Sequence, residues 1–318
     1  MLAAAALGEC RLRGGGLGRS RPVDAADAGR AAMKAGAGLF AALLAVLTMD
    51  VASASSACGG PDTPCSTELG SYHIVLPEGD GPHPAFIYFH GAGGSGRNIG
   101  DAEFARTLNR LGYAVIAPNG LERPESRFGP GWYFLPSRPA RRDELAFTRE
   151  IIAHAGEHHD VDGSTVVLTG YSIGGSLVWY LACKDADLAV AYTPYAGGFW
   201  RPHPEDCDGP VKLLHTHGWR DQTVPLEGRP LSSGRIYQGD IFEGLQQWRE
   251  ENSCTLLRAD EFDTDGRYWR RRWTSCAPGT ALELALWPGG HVRPDGEWAE
   301  MAVAWLQGVL DPAADVEN

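Results

Sequence analysis

Ser172 stands in Gly170-Tyr171-Ser172-Ile173-Gly174-Gly175, a spacing that lets a serine hydroxyl act as a nucleophile. Such a hydroxyl must be lifted out of its backbone on a sharp bend, so the residues flanking it must be very small. Thr165 to Thr169 before it is a short β-branched run, read as a buried strand, and Ser176 to Ala182 after it reads as a buried helix. Strand, bend and helix place the N–H of Ile173 at a helix N-terminus, where it can meet a developing negative charge. A plain Gly-Ser turn would share the motif but would need no partners elsewhere.

Partners are present. A serine nucleophile needs a base, and the base needs a group to orient it. Asp221 follows the run Val211 to Thr216, and His291 follows the run Ala281 to Trp287 through Pro288-Gly289-Gly290. If these runs are parallel strands, their C-terminal ends share one edge of the sheet. The order Ser172, Asp221, His291 is then that of an α/β-hydrolase, with nucleophile, acid and base in turn. His90-Gly91-Ala92-Gly93-Gly94 follows an earlier strand, and the Ala92 N–H is the expected second donor of an oxyanion hole beside that of Ile173. That loop could instead cradle a phosphate, but no Gly-Lys-Ser/Thr follows it. His215 and His217 form an H-x-H that a metal-dependent hydrolase could use, although His215 falls inside a strand and core roles are expected for both. Glu205, Asp206 and Asp208 are rival acids in one loop, and His158-His159-Asp160 reads as a helix end.

These residues are positioned by an alternation of elements. Strands are expected at Ser71 to Leu76, Pro84 to His90, Tyr113 to Pro118, Leu188 to Tyr195 and Tyr268 to Ser275, besides those already named. Helices are expected at Ala102 to Leu111, Asp143 to His158, Ile241 to Asn252 and Glu297 to Leu310, and Asn119 to Arg141 is irregular. The fold class is α/β, an α/β-hydrolase with a mostly parallel central sheet and helices on both faces. Residues 72–310 are expected to form one catalytic domain, preceded by a Cys-containing loop at 58–71 and followed by a tail at 311–318.

Residues 1–57 read as a leader. Met33-Lys34, the apolar Ala35 to Leu47 and Ala52-Ser53-Ala54 make a secretory signal over 33–57, which makes 1–32 an upstream extension of the gene reading. The apolar run falls short of the ~20 residues of a membrane span, so no transmembrane segment is expected in the mature chain. A lipoprotein anchored at Cys58 is the alternative, with Ser55 a poor fit. Of seven cysteines, Cys10 lies in the leader, and the other six suggest disulfides in an exported chain. Pairing neighbours in sequence gives Cys58–Cys65, Cys183–Cys207 and Cys254–Cys276. No C-x-x-C pair is present, which argues against a zinc or redox site. The chain carries −12, and without the six basic and four acidic residues of 1–57 it carries −14. Such a surface repels nucleic acid and anionic membranes.

Tyr88-Phe89-His90-Gly91, the Ser172 hexapeptide, His217 to Pro225 and Pro288 to His291 resemble a secreted esterase family. That family groups polyhydroxybutyrate depolymerases with feruloyl and acetyl-xylan esterases, and the resemblance runs from Tyr72 to Leu310. It implies an ester substrate, small or polymeric, and the roles already assigned to Ser172, Asp221 and His291. The mechanism needs no cofactor and no metal. A metal-dependent hydrolase and a catalytically silent binding module are the alternatives. Nothing after Leu310 suggests a polymer-binding domain, unlike multidomain depolymerases that attack crystalline polyester. Trp200, Trp219 and Trp132 are the residues expected to line a substrate cleft.

Overall fold

The structure is a computed structural model and describes residues 58–124, 126–135 and 138–311. The expected leader at 1–57, with its cleavage segment and Cys10, and the tail residues 312–318 lie outside the described residues. In chain order the first strands are β1 (Cys65–Ser66), β2 (Ser71–Val75), β3 (His83–Phe89), β4 (Ala114–Pro118), β5 (Val161–Tyr171) and β6 (Ala191–Tyr195). They are followed by β7 (Trp200–Arg201), β8 (Lys212–Gly218), β9 (Arg229–Leu231), β10 (Ile236–Gln238), β11 (Glu261–Asp263), β12 (Trp269–Trp273) and β13 (Ala281–Trp287). The helices are α1 (Glu103–Arg110), α2 (Glu144–His159), α3 (Ile173–Lys184), α4 (Ile241–Glu251) and α5 (Gly296–Leu310).

The main sheet runs β1-β2-β4-β3-β5-β6-β8-β13-β12-β11 among the described residues. From β4 to β13 every neighbouring pair is parallel, while the two flanks are antiparallel. The central strands β4 and β6 are buried along their whole length because both faces are covered. Successive side chains point to opposite faces. Ala85, Ile87 and Phe89 of β3 enter one cluster with Phe147, Leu177 and Trp248 of α2, α3 and α4. Phe86 and Tyr88 enter the other with Phe104 of α1 and Trp298 of α5. Helices therefore cover both faces of a mostly parallel sheet, which is the α/β-hydrolase fold.

Local chemistry sets the helix starts. Asp143 caps α2 by accepting from the N–H groups of Leu145 and Ala146, and Asp240 caps α4 through those of Phe242 and Glu243. α2 ends at Asp160 in the left-handed region, and the His158-His159 pair occupies its last turn, as expected.

Several elements differ from the sequence reading. β6 begins only at Ala191, because Leu188 closes a turn onto Asp185 and the Tyr192 hydroxyl donates to the Asp185 carbonyl. A small sheet, β7-β10-β9, was not expected, since strands of two or three residues carry no legible alternation. The segment read as a loop at 58–71 holds β1, and its backbone is tied to β2 by the Ile74 N–H donating to the Gly59 carbonyl. Three disulfides are present among the described residues: Cys58–Cys65, Cys183–Cys207 and Cys254–Cys276. In the first, the Cys58 sulfur named for lipid attachment in the alternative reading is bonded to Cys65. Among the described residues no helix is long and apolar enough to cross a membrane.

Candidate active site

The parallel strands β3, β5, β8 and β13 deliver their C-terminal loops to one edge of the sheet. β5 ends at Tyr171, and Ser172 takes φ 59° and ψ −122° before α3 begins at Ile173. A non-glycine residue at positive φ is strained, and here the strain lifts the hydroxyl clear of the bend. Two glycines make the bend possible. A side chain on Gly170 would strike the Gly174 carbonyl, and one on Gly174 would strike the carbonyls of Phe89 and His90.

Three of the expected residues meet. The Ser172 Oγ donates to His291 Nε2 at 2.9 Å, and His291 Nδ1 donates to Asp221 Oδ2 at 2.6 Å. The loops carrying the acid and the base are laced together. The Trp219 N–H donates to the Trp287 carbonyl and the Arg220 N–H to that of Gly289, each at 2.8 Å, and the Arg220 guanidinium donates to the Pro288 carbonyl at 2.7 Å.

Asp221 is fully inside. Burial alone would raise its pKa, but hydrogen bonds from His217, His291 and the Val224 N–H hold the carboxyl well below its ordinary range. Its Oδ1 accepts from the N–H groups of Thr223 and Val224, each at 2.8 Å. The carboxylate is thus ionised beside His291, as a group that steadies a charged imidazole must be.

The loop after β3 runs alongside. A side chain on Gly91 would press on the ring of Tyr171 and on the Ser172 Cβ. The Gly94 N–H donates to the Gly91 carbonyl, so Ala92 and Gly93 form the corner of a turn, with Gly93 at φ 74°. Among the described residues the N–H groups of Ala92 and Ile173 take no partner. The loop is braced from below by His90, whose Nδ1 donates to the Gly91 carbonyl and whose Nε2 accepts from the Gly120 N–H.

The three tryptophans fare differently. Trp200 is half-buried in β7 and lines a small pocket with Phe134, Ile173 and Ile236; its Nε1 donates to the Ser176 Oγ at 3.2 Å. Trp132 lines the same pocket. It is 3% exposed, donates to the His90 carbonyl at 2.9 Å and packs on Phe89 and His90, so it also holds the loop after β3. Trp219 is 56% exposed on the rim of the loop carrying Asp221. The rival acids lie elsewhere: Asp208 accepts from the Ala186 N–H, beyond the far end of α3 from Ser172.

Sequence reasoning missed Tyr171. Its hydroxyl donates to the His291 carbonyl at 3.1 Å, and its ring lies 4.8 Å from the imidazole. Burial, with the Asp221 charge adding to it, pushes that phenol up to about 12. Its place inside the Ser172 hexapeptide was the signal that could have found it. His215 and His217 have both ring nitrogens engaged by protein hydrogen bonds or directed at Asp221, so the H-x-H offers a metal no free donor pair.

Sheet, bend and strand-end loops define a protein of α/β-hydrolase fold carrying a linked serine, histidine and aspartate. The chain belongs to the dienelactone hydrolase family, whose model matches residues 71–234. That stretch includes Ser172 and Asp221; His291 lies beyond it. Feruloyl esterase B of Piromyces equi is 26% identical over 234 residues, covering 69% of this chain. The chain spans only 41% of that relative's own length. A probable feruloyl esterase C of Aspergillus niger is 28% identical over 250 residues, covering 71% of this chain and 82% of the relative. The solved acetyl xylan esterase of Aspergillus awamori shares the fold at a TM-score of 0.52, 14% identity, 78% of this chain and 95% of its own.

Proposed function

We infer that this protein is an exported serine esterase that hydrolyses carboxylic esters through an acyl-enzyme, of the type of feruloyl esterases and polyhydroxybutyrate depolymerases. The observation that carries the reading is the unbroken line from Ser172 through His291 to Asp221, at 2.9 and 2.6 Å. The relatives named feruloyl esterases support an ester substrate. Three disulfides support export, because such bonds persist in oxidising compartments.

Each group has one task. His291 Nε2 takes the proton of Ser172 as its Oγ attacks the ester carbonyl, and Asp221 steadies the imidazolium that results. The tetrahedral oxyanion rests on the N–H groups of Ile173 and Ala92, each typically worth about 2.7–4 kcal/mol. His291 then returns the proton to the leaving alcohol. The same histidine activates the water that releases the acid from Ser172. The aromatic wall at Trp200 favours a large, flat acyl group.

Ser172→Ala decides the reading. Ester hydrolysis falls at least about a thousandfold in a variant that melts as the parent does. A folded variant keeping more than about a twentieth of the activity overturns the assignment. A panel of methyl ferulate, acetylated xylan, 4-nitrophenyl esters and hydroxybutyrate oligomers identifies the acyl class.

A further inference from the structure

A line of hydrogen bonds enters the site from the core side, through residues to which the ester mechanism gives no task. The Trp179 Nε1–H, in the middle of α3, donates to His215 Nδ1 at 3.2 Å. His215 Nε2 lies 2.9 Å from His217 Nδ1. His217 Nε2 lies 2.8 Å from the Val224 carbonyl and 3.4 Å from Asp221 Oδ2. All three rings are fully buried.

The polarity of this line is fixed at both ends. An indole nitrogen can only donate, and a neutral imidazole has one donor and one acceptor. His215 must therefore present a bare Nδ1 to Trp179 and carry its proton on Nε2. That proton makes His217 Nδ1 the acceptor and leaves the His217 proton on Nε2. At the far end a carbonyl and a carboxylate require that same donor. Burial holds His215 neutral, its pKa well below the ordinary value, with repulsion from His217 adding to the shift.

We propose that His217 is a positioning residue for the triad acid, its proton held on Nε2 by Trp179 acting through His215. The proposal rests on the serine esterase reading. With the opposite polarity a bare nitrogen would face Asp221 and the Val224 carbonyl, repelling the carboxylate that orients His291. With the observed polarity, Asp221 Oδ2 has donors on two sides, His217 and His291, while Oδ1 is held by the Thr223 and Val224 N–H groups. The carboxylate cannot then rotate away or take up a proton when His291 becomes charged.

Two amide replacements separate the ends of the ring. In His217→Gln the amide nitrogen reaches the place of Nε2 and keeps a donor toward Asp221, whereas in His217→Asn it reaches only the place of Nδ1. With 4-nitrophenyl acetate, His217→Asn lowers kcat about tenfold to a hundredfold and leaves KM within about twofold. His217→Gln restores most of that loss, remaining within about threefold of the parent. Equal losses in the two variants, or a change in KM without one in kcat, overturn the proposal. A second measurement needs no variant and no catalysis. Ring nitrogen NMR of the ¹⁵N-histidine-labelled protein at neutral pH should place the proton on Nε2 of both His215 and His217, and a proton on Nδ1 of either overturns the relay. If the parent hydrolyses no ester, the esterase reading falls, and the two tautomers still decide whether the relay exists.

Discussion

Trp200 shows what a single side chain contributes at the proposed cleft. It stands where the small sheet meets Ile173, with Phe134 opposite at 6.3 Å between ring centres. Replacing it with alanine removes one apolar wall and leaves Ser172, His291 and Asp221 in place. For Trp200→Ala the expected outcome is a KM for methyl ferulate raised at least about tenfold, against a much smaller change for 4-nitrophenyl acetate. Steady-state kinetics on the two esters decides it, and equal effects would return Trp200 to a packing role. Trp132 lines the same pocket but is almost wholly buried and bonded to the His90 carbonyl, a placement hidden in the sequence because the irregular stretch carrying it has no period from which its direction could be read.

Among the elements, the loop after β3 is the one with its own sensitivity to acid. Burial pushes the His90 pKa down to about 4; its bond to the Gly91 carbonyl opposes this, and the charges of Arg123 and Arg142 add to it. The unfolded chain binds this proton near pH 6.5, so the neutral ring contributes its full stability above about pH 6.5. That contribution shrinks as the pH falls and is lost through about pH 4, at most about 3 kcal/mol in all. The stability advantage of the parent over His90→Gln should therefore narrow between about pH 7 and about pH 4, as chemical unfolding at each pH would show. A constant difference would mean that His90 is not the linked group. The element scale also shows what a sequence can reveal. Ser172, Asp221 and His291 were findable because each follows a strand whose run of apolar residues marks its end. His217 was visible as half of an H-x-H and as the first residue of the stretch leading to Asp221, with no role of its own attached. Two residues apart on a strand share a face, but only the folded positions of Trp179 and Asp221 say what that face meets. The sheet β7-β10-β9 was hidden because its pairing depends on residues brought together from Trp200 and from Gln238.

At the scale of the whole molecule, one disulfide stands well away from Ser172. Cys183–Cys207 lies at the end of α3 opposite Ser172, and α3 is 12 residues, or about 18 Å, long. Replacing both cysteines with serine should cost about 2–4 kcal/mol in a denaturant titration and leave kcat on 4-nitrophenyl acetate unchanged. A large fall in kcat at full folding would show that this end of α3 reaches the site. The ladder between β13 and β8 has the opposite character. Its parallel register pairs Ala281 with Lys212 and continues through Trp287 with Gly218, delivering His291 to Asp221. β12 pairs antiparallel with β13 on its other side, so the two can form locally and dock against β8 together. A slip of two residues keeps every side chain on its proper face and loses little burial. It would still carry His291 about 7 Å along the sheet, out of reach of a serine 119 residues earlier in the chain. Misregistered molecules would therefore pass as folded by spectroscopy while remaining chemically mute, and ester turnover is the assay that counts correctly threaded chains.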